Sequence, residues 1–189
     1  MRRMSVFIYL SAIALMAAVA SQLLGWPDGR SWFLLAWAVF MLATVIALLA
    51  HPMRAPAWGL FVGFWGVLAT VVLIVLQALA VAGVITGEAY GQWTAPPLAV
   101  VAIWILVGSA TGFGAEPFGA LVDALGLVTG LALVGISIAT WAGLPELTRV
   151  AGLAAAIAYV LWAVFLGRVV WSLPPIMRSS VPTLAHRTG

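Results

Sequence analysis

The sequence contains no cysteine and no lysine among its 189 residues. Without cysteine, the chain forms no disulfide and offers no thiolate for catalysis or for an Fe–S or zinc site. Without lysine it forms no Schiff base, which excludes a retinal protein of the opsin kind. The two histidines, His51 in a loop and His186 near the end of the chain, are too few for a four-histidine membrane cytochrome.

Charge is also scarce. Charged residues make up 7% of the chain and hydrophobic residues 65%, and the mean hydropathy is +1.20. This composition is too apolar for a water-soluble fold of this length, so we expect an all-α membrane protein. The net charge of +3 comes from eight arginines that are scattered singly along the chain. They form no basic stripe that could follow a phosphate backbone, so no nucleic-acid partner is implied.

We interpret six apolar runs as transmembrane helices, and a bilayer takes about 20 apolar residues to span. Proline- and glycine-containing breaks separate them. In this interpretation 85–96 is the longest loop, and Pro96-Pro97 opens the fourth helix. We find no clear repeat that relates the first three helices to the last three. The sequence predicts one transmembrane domain and a short tail at 173–189, with helices near 4–24, 31–50, 57–84, 97–111, 118–141 and 148–172.

The first apolar run permits two interpretations. Arg2 and Arg3 precede it and Ala18-Val19-Ala20 lies near its end, which resembles a secretory signal with a cleavage site. The run nevertheless continues through Leu23 and Leu24. We therefore expect an uncleaved first helix, with cleavage near residue 20 as the alternative.

The distribution of arginine predicts the orientation. Six helices place both termini on the same side of the membrane, and that side carries six of the eight arginines. By the positive-inside rule both termini are cytoplasmic, and the protein lies in a bacterial inner membrane. The loop at 112–117 runs against this trend, because it carries Glu116 and no arginine. The arginines of the predicted cytoplasmic side are Arg2, Arg3, Arg54, Arg168, Arg178 and Arg187, and those of the other side are Arg30 and Arg149.

The predicted fifth helix carries a regular stripe of small residues. Steps of three and four residues keep side chains on one helical face, so this stripe should meet other helices and not lipid. Small residues at this spacing let two backbones approach closely, which stabilises helix pairs where the hydrophobic effect does not act. The predicted packing face consists of Gly119, Gly126, Gly130 and Ser137.

Asp123 lies on the same stripe, about 7 to 8 Å into the membrane at a rise of 1.5 Å per residue. A carboxylate at that depth needs a partner or a proton. The turn between the fifth and sixth helices lies near residues 145 and 146, which places Arg168 level with Asp123. We predict an ion pair that fixes the register of the two helices. The alternative is that Asp123 relays a proton or a cation.

Gln77 is a second polar side chain at membrane depth. It could hydrogen-bond to hydroxyl groups on neighbouring helices, or it could contact a ligand or a transported solute. Serine and threonine can also bond to carbonyl groups of their own helix, which is the interpretation we prefer for these hydroxyls. The hydroxyl-bearing residues at membrane depth are Thr70, Ser109, Thr129 and Ser137.

Five aromatic residues lie inside the predicted helices and not at their ends. Aromatic side chains deep in a bundle could line a pocket for a flat apolar ligand such as a quinone, a carotenoid or a lipid tail. More often, aromatic residues in such positions only pack against other helices or face lipid, and a pocket is the second interpretation. These residues are Trp37, Trp65, Trp104, Tyr159 and Trp162.

Two resemblances bear on the class. The length and six-helix layout resemble the substrate-binding components of energy-coupling-factor vitamin transporters, and the spacing Ala14-x-x-x-Ala18 is similar to their small-residue surface. Residues 117–172 resemble uncharacterised six-helix bacterial membrane proteins of unknown function, which implies a fold and no activity. The residues that carry the second resemblance are Gly143-Leu144-Pro145-Glu146, Ala151-Gly152-Leu153, Tyr159, Trp162, Gly167 and Arg168.

The sequence predicts no catalytic chemistry and no metal site. The segment Gly108-Ser109-Ala110 superficially resembles a rhomboid serine motif, but the sixth helix has no histidine to act as a base. We expect a binding or accessory component for an apolar ligand or a membrane partner. It should contact the lipid bilayer, and its partner is either another membrane protein or a second copy of the chain. The alternative is a small-solute transporter or channel that uses Asp123. An enzyme ranks third.

Overall fold

The structure is a computed structural model that describes residues 2–49, 56–111 and 119–172. These residues fold into helices and short turns, with no strand in the described ranges. All six helices are long and apolar enough to cross a membrane. The predicted all-α bundle of six helices is confirmed. The helices are α1 (Arg2–Leu23), α2 (Pro27–Leu49), α3 (Pro56–Val81), α4 (Gly87–Thr111), α5 (Gly119–Trp141) and α6 (Pro145–Ser172).

The helices form a closed ring. Each packs against the helices before and after it in the chain, and α6 returns to pack against α1. The ring therefore consists of three consecutive hairpins, α1–α2, α3–α4 and α5–α6. Their turns lie at one end of the bundle, where Gly91 near the start of α4 approaches Thr140 near the end of α5. One contiguous buried core fills the described part of the bundle.

The three hairpin turns share one hydrogen-bonded motif. Gly25, Gly83 and Gly143 follow the first helix of each hairpin and have φ angles of 69°, 71° and 66°. Each glycine N–H donates to the carbonyl three residues earlier, and the next N–H donates to the carbonyl five residues earlier. This is the Schellman motif, in which a glycine in the left-handed region ends the helix. The apolar residues that follow the glycines are Trp26, Val84 and Leu144.

Helix α4 begins at Gly87, well before the predicted start at Pro97. Pro96 and Pro97 lie inside the helix. Because proline has no N–H, these two residues leave the carbonyls of Gln92 and Trp93 without their intrahelical donors. The side chains of Gln92 and Trp93 are both exposed, near the end of the bundle where the hairpin turns lie. The segment that the sequence analysis placed in the longest loop thus forms the first turns of a helix.

The other boundaries differ less from the predicted ones. Pro27 and Pro145 open α2 and α6, earlier than the predicted residues 31 and 148, because a proline in the first turn already has a helical φ and loses no hydrogen bond. Helix α3 ends at Val81 and not at residue 84, because Gly83 takes up the left-handed conformation. The predicted tail at 173–189 lies outside the described residues.

We predict that Gly143→Ala destabilises the protein by about 1 kcal/mol, because an L-residue in the left-handed region is strained. No atom lies within 4 Å of a Cβ built on Gly143, so the effect is conformational and not steric. The matched control is Gly135→Ala within α5, where the space is equally open and φ is not positive. Alanine there should be neutral or stabilising. Equal unfolding midpoints for the two variants in detergent would contradict the prediction.

Candidate functional site

Four of the five predicted aromatic candidates are buried in the core. Trp37 comes from α2, Trp104 from α4, and Tyr159 and Trp162 from α6, and none is more than 5% exposed. We call these four residues the aromatic centre. The Tyr159 ring lies 5.8 Å from the Trp37 ring and 5.8 Å from the Trp162 ring, with interplanar angles of 76° and 58°. Edge-on and tilted contacts of this kind suit the quadrupoles of aromatic rings.

The Tyr159 hydroxyl connects three helices. Its oxygen lies 2.8 Å from Ser11 Oγ on α1 and 3.2 Å from Met41 Sδ on α2. Ser11 also donates to the carbonyl of Ile8 at 2.7 Å, which leaves the serine oxygen free to accept the phenol proton. Ser11 and Met41 could not be identified from the sequence, because one serine and one methionine in apolar helices carry no local signal.

Trp65 does not belong to the aromatic centre. It is 45% exposed on the outer surface of α3, where its ring contacts Phe61 and Phe64 edge-on. The neighbouring residue Gly66 faces inward, and its backbone lies against the Trp104 side chain. Consecutive residues on a helix point about 100° apart, so Trp65 is turned away from the core. This exposed position agrees with the interpretation that Trp65 faces lipid and does not favour a place in an interior pocket.

The small-residue face of α5 packs inward over most of its length. Gly126, Gly130 and Ser137 are buried. A Cβ built on Gly130 would stand 3.0 Å from the carbonyl oxygen of Ala102, so α4 and α5 touch at the backbone. Gly119 differs from the other three. It is exposed at the start of α5 with φ of 72° and nothing within 4 Å of a built Cβ, so it serves the backbone turn and not the packing.

Gln77 forms a reciprocal pair with Tyr90. Its amide nitrogen donates to the Tyr90 hydroxyl at 2.7 Å, and that hydroxyl donates to the amide oxygen at 3.0 Å. Gln77 is therefore hydrogen-bonded across helices, from α3 to α4. The partner was not foreseen, because the sequence analysis placed Tyr90 in a loop. Gln77 lies near the end of α3 and not in its middle. The charge of Arg30 acts on the Tyr90 phenol.

Three of the four hydroxyls considered as partners of Gln77 bond to their own helices, as we preferred. Thr70 donates to Gly66 at 2.7 Å, Thr129 donates to Leu125 at 2.7 Å, and Ser137 donates to Leu133 at 2.8 Å. The fourth hydroxyl, that of Ser109, is buried and has no hydrogen-bond partner among the described residues.

Asp123 is half-buried on α5, and Arg168 is exposed on α6. An ion pair within the described ranges is found on the surface of α6. It joins Arg149 to Glu146 at 3.5 Å, with both side chains more than two-thirds exposed. An exposed pair of this kind contributes little to stability. The pair between Asp123 and Arg168 stays a prediction.

The described residues contain no group of three histidine, aspartate or glutamate side chains that could hold a metal ion. No protein-family model, curated protein or solved structure matches the chain.

We predict that Tyr159→Phe lowers the free energy of unfolding by about 1 kcal/mol, because the variant loses the hydrogen bond to Ser11 and keeps the ring. Tyr9→Phe is the control. The Tyr9 ring packs against Gly167, and the described residues provide no hydrogen bond to its hydroxyl. Unfolding in detergent followed by circular dichroism measures both. Equal midpoints would show that the Ser11 contact adds no stability.

We also predict that Gln77 and Tyr90 are energetically coupled. Gln77→Leu and Tyr90→Phe each remove one side of the pair, so the double variant should be less destabilised than the sum of the single variants, by about 1 kcal/mol. A double-mutant cycle of unfolding free energies measures this coupling. Strict additivity would mean that the pair does not fasten α3 to α4.

Proposed function

We propose that the protein is a binding or accessory component of a bacterial inner membrane, without catalytic chemistry of its own, and that it holds an apolar molecule at the aromatic centre. The observation that carries this proposal is the ring contact of Trp37, Tyr159 and Trp162 between α2 and α6, with Trp104 of α4 buried in the same core. Binding sites for small apolar molecules are typically lined by aromatic side chains and contain few polar groups.

The chemistry of the core supports an uncharged ligand. The fully buried polar residues of the described chain carry hydroxyls and one glutamine amide, and Asp123 is half-buried with one buried carboxylate oxygen. Met41 lies against the Tyr159 hydroxyl, and the flexible, polarisable methionine side chain adapts readily to a flat molecule. A quinone, a carotenoid or a lipid tail fits this environment better than a hydrated ion does.

Six apolar helices support a multi-pass membrane protein, and the outer surface of the bundle is apolar. The bias of arginine toward one side supports cytoplasmic termini under the positive-inside rule. Arg30 and Arg149 belong to the side with fewer arginines. They follow the α1–α2 and α5–α6 turns, at the end of the bundle opposite to the predicted cytoplasmic side. A membrane-protein partner or a second copy would have to bind on the apolar outer surface, in place of lipid.

The second candidate function is a small-solute transporter or channel. One carboxylate oxygen of Asp123 is buried in α5. Ionisable groups at membrane depth mark proton and cation pathways in many transporters. In this alternative Asp123 is the proton or cation site and Gln77 belongs to the path.

Native mass spectrometry of the full chain, gently extracted from its own membrane, tests the proposal. We expect a stoichiometric small molecule of apolar class, and its occupancy should fall in Trp37→Phe because the variant alters the aromatic centre. Trp141→Phe is the matched control, since Trp141 is 75% exposed. A bare monomer would contradict the proposal. Solute uptake into proteoliposomes that is lost in Asp123→Asn would then support the transporter.

A further inference from the structure

Ser109 differs from the other buried hydroxyls of the bundle. It is 4% exposed and lies two residues before the end of α4, yet its oxygen has no hydrogen-bond partner in the described chain. A serine in an apolar helix ordinarily bonds to the carbonyl one turn earlier. Ser109 does not do so. Six other buried hydroxyls are hydrogen-bonded, namely those of Ser11, Ser21, Thr44, Thr70, Thr129 and Ser137.

The indole nitrogen of Trp162 is in the same situation. The residue is fully buried on α6, and its N–H has no acceptor among the described residues. Both atoms border one point on α5. A Cβ built on Gly126 would overlap Ser109 Oγ and stand 2.9 Å from Trp162 Nε1. The absence of a side chain at Gly126 therefore lets two unpartnered polar groups from α4 and α6 converge.

Two unsatisfied polar groups in an apolar core are costly, because each has lost its hydrogen bonds to water without replacement. Buried polar groups in native proteins are satisfied in the great majority of cases, by protein, water or ligand. A serine hydroxyl can donate or accept, whereas an indole N–H only donates. One oxygen atom that accepts from both groups would satisfy the pair.

We infer that Ser109 and Trp162 bind a carbonyl oxygen of the apolar molecule held at the aromatic centre. This inference rests on the proposed function and specifies its ligand. Trp162 belongs to both sites, so an oxygen at its N–H and an apolar body against its ring are parts of one molecule. A hydrocarbon carotenoid is excluded, because it offers no acceptor.

The depth of the pair agrees with such a ligand. Gly126 follows the start of α5 by seven residues, which is about 10 Å at 1.5 Å per residue. A polar oxygen therefore lies toward one end of the span, while Tyr159 and Trp37 extend the apolar site away from it. The head of a quinone and the ester of an acylglycerol both present a carbonyl attached to an apolar tail.

Thermal unfolding of the purified full chain with two probes, decylbenzoquinone and dioctanoylglycerol, tests this inference. We expect one probe to raise the midpoint of the wild type by several degrees, and which probe does so identifies the source of the carbonyl. Ser109→Ala should abolish the shift, and Trp162→Phe should reduce it. Ser137→Ala is the matched control, because it removes a buried hydroxyl that is already satisfied, and it should retain the shift.

The behaviour without probe completes the test. Ser109→Ala should then unfold at the same temperature as the wild type or higher, because an orphaned hydroxyl has been removed. A lower midpoint of Ser109→Ala, together with a wild type that responds to neither probe, would mean that a buried water satisfies the pair. That result would overturn the inference. A probe shift that persists in Ser109→Ala would also overturn it. If native mass spectrometry still finds the apolar molecule in Ser109→Ala, only this inference fails and the proposed function stands.

Discussion

The contact between α6 and α1 is the interaction on which the closed ring depends, because these helices are the farthest apart in the chain. Two features make it possible. Gly167 has no side chain, so the Tyr9 ring lies directly against the α6 backbone, and a built Cβ would stand 2.9 Å from that ring. Farther along, Tyr159 and Ser11 are hydrogen-bonded at 2.8 Å. In a bilayer the hydrophobic effect does not press helices together, so close approach and hydrogen bonding have to hold the ring shut.

The number of helices could be predicted from the sequence, because the transfer of a segment from water to lipid depends on its length and apolar composition. The faces of the helices were harder to predict. Lipid-facing residues are as apolar as core residues, so the periodicity that separates core from surface in soluble helices is weak here. For this reason the sequence leaves open whether Trp65 lines a pocket or faces lipid, whereas Gly126 and Gly130 could be placed because small residues mark helix contacts in either environment.

The start of α4 shows a different limit. Two consecutive prolines are a strong local signal for a helix start and predict that α4 begins at Pro97. The helix begins earlier, and its first turns are hydrogen-bonded to α3 through Tyr90 and Gln77, a contact that no local pattern reveals. The repeat of three hairpins does not relate the first three helices to the last three, because its unit is one third of the bundle. A Gly-x-Pro-acid pattern does recur at 25–28 and 143–146, but the turn at Gly83 lacks the proline.

Within the candidate site, sequence reasoning identified residues but not their relations. Trp37, Trp104, Tyr159 and Trp162 were singled out by type and position. Ser11 and Met41 were not considered, because their roles arise only when three helices meet at one hydroxyl. Ser109 was assumed to bond to its own helix. Whether a serine hydroxyl bonds to its own helix or points toward the neighbouring helix depends on the space that the neighbour leaves. Next to Ser109 that space is left by Gly126.

Because the ring is closed, the contact between the first and last helices is equivalent to the contacts between helices that are consecutive in the chain. Each hairpin has a hairpin on either side, and the α6–α1 contact has the same standing as α2–α3 or α4–α5. A circularly permuted chain, opened at the Gly83 turn and joined between α6 and α1, would keep every helix-to-helix contact. The order in which the hairpins are synthesised is therefore not encoded in the arrangement that they finally adopt.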